Sequence, residues 1–376
     1  MHNPFQSFWM AGFECTDQLN AFGNRVDFLH ITGHLEKLDE DYQNLKQFEI
    51  RTIREGIRWS QVETHPYQYN FASVRNMVES AAAHNIQVIW DLCHFGYPDD
   101  LTPLHPHFTA RFCALCQAFV AFYRLIQPTG TLIVTPINEV GFISWLGGDV
   151  AGTSPYCRHN GWEVKYELMR AYIQGVETLR QCDPNIRILT TEPLINIVPP
   201  PDATDEQQQR AQLQHEAQFQ VTDILCGRMC PELGGRSDYL DMLGLNFYYN
   251  NQWVSDSFEP ISWLNRDTDN RWLPLSSLLT AAYARYQRPL VLSETSHPEE
   301  DRPQWITFIA TECNKILQHE IPLWGICWYP AIDRPDWDHL TPWHRSGLWD
   351  IPDPATQNRV LHTPSATALA NAQRWL

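Results

Sequence analysis

Along the chain, short runs of apolar and β-branched residues alternate with longer amphipathic stretches. The short runs are Phe8–Phe13, Thr52–Trp59, Gln87–Leu92, Leu132–Asn138, Arg187–Glu192, Met242–Phe247, Leu290–Glu294 and Leu323–Tyr329, all of strand length and composition. Helical periodicity occupies Asp39–Phe48, Val74–His84, Phe108–Leu125, Glu163–Cys182, Asp205–Met229, Ser276–Tyr286, Pro303–His319 and Thr363–Leu376. Alternation of this kind, repeated for eight strands, predicts an α/β fold of the closed (β/α)8 TIM-barrel type rather than an open sheet. No composition shift, linker or internal repeat divides the chain, so residues 1–376 read as a single barrel domain. Pro199-Pro200-Pro201 and Gln207-Gln208-Gln209 read together as a turn entering a helix, because proline cannot continue a strand and glutamine forms helix readily.

Polar and aromatic residues interrupt the apolar runs at their C-terminal ends, the end at which such a barrel builds its site. Trp59, Asp91 with His94, Asn138 with Glu139, Glu192, Asn246 with Tyr248, Glu294 and Trp328 all fall there. Thr135-Pro136-Ile137-Asn138-Glu139 and Leu290-Val291-Leu292-Ser293-Glu294 each end on a glutamate, on the fourth and seventh strands. In a closed barrel those two carboxylates face one pocket, as cleavage of a glycosidic bond requires. Glu192, taken alone, reads as a solvated loop residue.

Composition narrows the partners. With 43% hydrophobic and 19% charged residues the chain has a core to bury and no reason for wholesale disorder. Its net charge of −17 speaks against a nucleic-acid partner, since phosphate binding needs a basic surface, and suits a neutral substrate. Fifteen tryptophans supply faces that stack on sugar rings. The ten cysteines sit mostly inside apolar runs and read as buried thiols rather than disulfides. Cys113-Ala-Leu-Cys116 has redox or metal spacing but lies in a helical stretch without a second ligand pair, so it reads as one face of a core helix. His105-Pro106-His107 and Asp336-Trp337-Asp338-His339 fall in loops, and neither a metal nor a cofactor is expected. The first residues lack a basic stretch followed by an apolar one, and no run of about 18 apolar residues occurs, so the expected location is cytoplasmic, away from membranes.

Six segments, in order, resemble glycoside hydrolase family 1, the β-glucosidase family of the clan A barrels. Thr135-Pro136-Ile137-Asn138-Glu139 is similar to that family's acid/base strand, with Val140 where the family has proline, and Leu292-Ser293-Glu294-Thr295 resembles its nucleophile strand without the usual Asn-Gly. Arg54-Glu55-Gly56-Ile57-Arg58-Trp59-Ser60, the segment Asp91–Leu101 containing His94, and Gly244-Leu245-Asn246-Phe247-Tyr248-Tyr249 match further family motifs. Trp328 and the pair Asp336-Trp337 fall where the family has a sugar platform and a clamp on the outer hydroxyls.

The resemblance implies a retaining β-glycosidase acting on a β-linked glucoside or related glycoside. Such an enzyme needs one carboxylic acid held protonated and one ionised carboxylate placed to attack the anomeric carbon. Glu139 is expected as acid/base and Glu294 as nucleophile. Arg54, Tyr248 and Asn246 are expected to support them, the first two by favouring the charged form of Glu294. Gln18, His94, Asn138, Trp328, Asp336 and Trp337 are expected to hold the sugar, with Glu14 and Asp17 competing for the place of Gln18. A clan A endo-glycanase or transglycosylase with the same glutamates, and a non-catalytic carbohydrate-binding barrel, remain alternatives. Sugar identity, exo or endo action and oligomeric state are not readable from these residues.

Overall fold

The computed structural model describes residues 2–376. Eight parallel strands close into a barrel: β1 (Trp9–Gly12), β2 (Thr52–Gly56), β3 (Gln87–Cys93), β4 (Ile133–Ile137), β5 (Arg187–Pro193), β6 (Met242–Asn246), β7 (Leu290–Thr295) and β8 (Leu323–Trp328). Each pairs with its neighbours in sequence, and β8 closes on β1 through Trp9–Ile326, Met10–Cys327 and Ala11–Trp328. All eight expected strands are present. The expected Thr52–Trp59 is cut back to Gly56, and Trp59 instead opens a helical turn, Trp59–Val62.

Around the strands lie α1 (Leu38–Leu45), α2 (Ala72–Ala83), α3 (Phe108–Ile126), α4 (Gly161–Cys182), α5 (Asp205–Glu216), α6 (Leu275–Tyr286), α7 (Arg302–Gln318) and α8 (Thr363–Ala372). Thr204 and Gln207 form a reciprocal capping box at the start of α5, which satisfies two of the helix's unpaired N–H groups. The stretch expected as one helix to Met229 tightens into a 3-10 turn at Ala217–Phe219, resumes over Gln220–Leu225, and ends before Gly227, whose left-handed φ stops it. Helix α3 is long and apolar enough by composition to cross a membrane, yet Phe108, Phe112, Leu115, Cys116 and Phe119 are buried and the helix packs on α4. No disulfide forms; five cysteines are buried, four half-buried and Cys182 exposed, so the reading of all ten as buried thiols holds for half.

Strand alternation organises the lumen. Met10, Ile89, Ile133, Leu189, Met242, Val291 and Cys327 form an apolar layer inside the barrel. Two residues further along each strand the same inward face carries Gly12, Asp91, Thr135, Thr191, Gly244, Ser293 and Tyr329, so a polar layer sits directly on an apolar floor. Gly12 lets the Tyr329 ring lie against the backbone of β1: a Cβ there would lie 2.2 Å from that ring.

Outside the lumen a second polar cluster ties the loop between β1 and α1, α1 itself and β2 to the C-terminal segment. His34, fully buried, bonds Asp41 at 2.8 Å and Glu55 at 2.9 Å, and Arg359 reaches the same Asp41. Burial alone would lower the proton affinity of His34; Glu55 and Asp41 outweigh it and raise its pKa to about 9. Because the folded value lies above the unfolded one of about 6.5, the stabilisation is full below about pH 6.5 and is lost as pH rises towards 9. The urea midpoint of the wild type should therefore fall over that window more steeply than that of His34→Gln. Parallel pH curves would refute a charged His34.

Candidate active site

Arg54, on β2, is the hub of the polar layer. Its guanidinium donates to the Ser293 carbonyl at 3.0 Å, Glu294 Oε1 at 2.8 Å, Asp91 Oδ2 at 2.6 Å and Asn138 Oδ1 at 3.0 Å. It also lies 5.3 Å from the centre of the Tyr329 ring. Burial opposes its charge, but Asp91 and Glu294 hold the pKa well above the usual arginine value. The planar fork suits this task, since one cation must serve acceptors from two strands, β3 and β7, and from the end of β4.

Glu294 reaches the lumen through an irregularity in β7. Leu245 pairs with Leu292 but Asn246 pairs with Glu294, so one extra residue enters the β7 side of the ladder. As a result Ser293 and Glu294, which alternation would send to opposite faces, both reach the site. Ser293 donates to Asn246 Oδ1 at 2.6 Å, and Glu294 Oε2 accepts from the Tyr248 hydroxyl at 2.8 Å. Both Glu294 oxygens accept from strong donors, the partner set of an ionised carboxylate.

Glu139 stands just past β4 in a left-handed conformation (φ 45°) and starts the helix Val140–Gly148. Asn246 Nδ2 donates to its Oε1 at 2.8 Å, so one asparagine on β6 touches Glu139 and, through Ser293, the strand of Glu294. Burial, then the charge of Glu294, push the Glu139 carboxyl well above the usual carboxylate range, against the Asn246 hydrogen bond. The environments of the two glutamates thus differ in the sense an acid and a nucleophile need.

Asn138 and His94 join the same network. Asn138 Oδ1 accepts from Arg54 and from the Thr191 hydroxyl at 2.8 Å, and its Nδ2 lies 3.4 Å from His94 Nε2. His94 Nδ1 bonds Asp91 Oδ2 at 2.8 Å. Burial lowers the proton affinity of His94, while Cys15 and Asp91 raise it well above the ordinary range. The Cys15 thiol is itself pushed up to about 11 by burial and is neutral at pH 7, so the Asp91 carboxylate supplies the attraction there. Cys15, Asp91 and His94 place possible metal ligands within 4.8 Å of one another. The shared Asp91 oxygen already accepts from Arg54, which supplies the positive charge a metal ion would bring.

Other expectations fare differently. Gln18 is 1% exposed, and its Oε1 has no hydrogen-bond partner; Glu14, its competitor, lies 3.6 Å from His94 Nε2 and 3.5 Å from Arg334 Nε, so Glu14 is the residue joined to the cluster. Asp17 spends one oxygen on the Ser60 amide. Trp328 is corrected: it is buried on the outer face of β8, where its Nε1 donates to the Ser346 carbonyl, and alternation gives the lumen to Tyr329, stacked at 10° on His94. Trp59 is corrected too, since its ring is core packing against Phe108 and Phe112, with Nε1 on Glu63. Asp336 turns inward on its own loop, accepting from the Asp338 and His339 amides and pairing with His344. Trp337 packs on Phe95 and Phe142 and keeps a buried Nε1 without a partner, a donor left for a ligand.

Asp91 and Tyr329 were the residues whose roles the chain concealed. Asp91 stands near the C-terminal end of an apolar run, and that position was its signal; Tyr329 follows Cys327 by one two-residue period, but only the pairing of Cys327 with Met10 puts that face in the lumen. Glu192 is also corrected: it is 3% exposed, not solvated, and both its oxygens face the Gly141 amide.

No family model and no curated protein matches the chain. Solved structures resemble it closely in shape. A family 1 β-glucosidase from Thermotoga maritima is similar over 100% of this chain and 99% of its own, with TM-score 0.76 at 14% identity. An AHE enzyme from Alicyclobacillus herbarius gives TM-score 0.75 at 16% identity over 99% and 98% of the two chains. A β-glycosidase from Pyrococcus horikoshii gives 0.73 at 16% identity over 91% and 85%. At such identities the likeness establishes the fold: this chain is a closed (β/α)8 barrel.

Proposed function

We propose that the chain is a retaining β-glycosidase that hydrolyses a β-linked glucoside or a related glycoside. The observation that carries this reading is the Asn246 bridge, which holds Glu139 and the Glu294 strand at one end of the lumen while their surroundings differ. Glu139, kept protonated by burial and by the Glu294 charge, gives its proton to the departing oxygen. Glu294, oriented by Arg54 and Tyr248, attacks the anomeric carbon and forms a glycosyl ester. Glu139, now a carboxylate, draws a proton from a water that attacks the anomeric carbon; the bond to Glu294 breaks, and the sugar leaves with its original configuration while Glu294 returns to a carboxylate. His94, Glu14 and the free Trp337 Nε1 offer contacts to sugar hydroxyls.

Leaving-group dependence tests the acid. Glu139→Gln should lower kcat/KM for 4-nitrophenyl or alkyl β-glycosides by about 10²-fold or more, and hardly affect 2,4-dinitrophenyl glycosides, whose leaving group departs without a proton. It should also remove the alkaline limb of the pH profile, which in the wild type lies above the ordinary carboxylate range because the Glu139 pKa is raised. Equal losses on both substrates, or a first product of inverted configuration by NMR, would overturn the reading.

A further inference from the structure

Glu192 lies at the C-terminal end of β5, beside the inward-facing Thr191, and is almost fully buried, yet it bonds none of the residues expected to hold the sugar. Its carboxylate accepts from the Gly141 N–H, with N–O distances of 3.3 and 3.0 Å to its two oxygens. Gly141 belongs to the first turn of the nine-residue helix Val140–Gly148, and Glu139 occupies the capping position before it. A residue in that position ordinarily turns its side chain onto the first free amides of its own helix. Glu139 does not: it makes no side-chain cap, and its backbone N–H instead donates to the Thr191 carbonyl, next to Glu192. The space is built for this exchange, because a Cβ on residue 141 would lie 2.6 Å from Glu192 Oε2.

We propose that Glu192 is a positioning residue for Glu139: it caps the helix in place of Glu139, so that the Glu139 carboxyl stays in the pocket. This rests on the reading of Glu139 as the acid. The groups facing Glu192 are the Val140 and Gly141 amides, Lys165 and Tyr172 from α4, and Glu139 itself; Lys165 is bonded to Gln220 at 2.7 Å and also feels Asp149. Around Glu139 stand Glu294, Asn246 and His94. Burial pushes Glu192 up to about 8 against the Gly141 amide and Lys165, so its charge develops over the same range as the alkaline limb of catalysis. A negative charge beside Glu139 raises the affinity of Glu139 for its proton, so removing it moves the alkaline limb of kcat/KM to lower pH.

Two variants separate the two roles. Glu192→Gln keeps an oxygen for Gly141 and removes the charge; it should shift the alkaline limb to lower pH with little loss at the optimum. Glu192→Ala removes the cap as well, and should lose about tenfold in kcat/KM on alkyl or 4-nitrophenyl β-glycosides while changing 2,4-dinitrophenyl glycosides by less than about twofold. A purely structural residue would lower both substrates alike and leave the pH profile unmoved, and that result overturns the proposal. Should Glu192→Ala fold poorly, the pH profile of Glu192→Gln decides alone. Glu139→Gln measured alongside distinguishes the failures: if it lacks the leaving-group dependence, the acid assignment falls; if it shows it and neither Glu192 variant responds as expected, only the positioning role falls.

Discussion

Replacing Glu294 by alanine is expected to lower kcat for aryl β-glycosides by about 10⁴-fold or more, because the proposed route has no other carboxylate placed to form the glycosyl ester. The fold should survive. Arg54 would keep Asp91, Asn138 and the Ser293 carbonyl as acceptors, so its charge remains compensated. A small anionic nucleophile such as azide enters the vacated space and attacks the same carbon, so azide should restore turnover and yield a glycosyl azide of α configuration. In the intact protein, a 2-fluoro glycoside with a good leaving group should add one glycosyl mass to the peptide containing Glu294, since fluorine slows both formation and release of the ester while the good leaving group restores only its formation. Activity of Glu294→Ala within tenfold of wild type would sink the nucleophile assignment. Labelling of Glu139 instead would exchange the two roles.

Arg54→Met is expected to cost both stability and activity. The variant leaves the fully buried Asp91 and the nearly buried Glu294 without their shared cation, and loss of one partner from a buried ion pair typically costs about 3–5 kcal/mol. Arg54→Lys should recover part of the stability but little of the activity, because an ammonium cannot span four acceptors in the plane of a guanidinium. Urea denaturation and kcat/KM on one aryl glycoside measure both. The pH dependence carries a further sign. Arg54 and His94, against burial, hold the Asp91 carboxyl below its usual range, so Asp91 stabilises the fold above its unfolded pKa and this contribution fades as pH falls through the folded value. In Arg54→Met that acid-side loss should begin at higher pH. An Arg54→Met protein as stable as wild type at neutral pH would show that the hub holds nothing together.

Much of this site is local information. Thr135–Glu139 and Leu290–Glu294 show as strands ending on carboxylates because parallel barrel strands are buried and their C-terminal ends open on the site, and the structure puts both glutamates there. Tyr248 and Arg54 were also readable, and both bond Glu294. Trp328 was misread although its neighbour Tyr329 lay in the same run: sequence shows that an aromatic ends β8, whereas the register with β1 decides which of two adjacent aromatics points inward.

Hydrophobic alternation along the chain by itself determined the eight strand–helix units, their order and hence the closed barrel, because burying a strand or a helix face leaves a period in the residues that make it. What only the tertiary structure decided are the departures from that period. The extra residue in β7 brings Ser293 and Glu294 to one side, the positive φ of Glu139 directs a residue that follows the strand, and Glu192 lends its carboxylate to a helix begun by another residue. Each depends on contacts between segments far apart in the chain, where hydrogen bonds and charges outweigh local preference, and no period in the sequence records them.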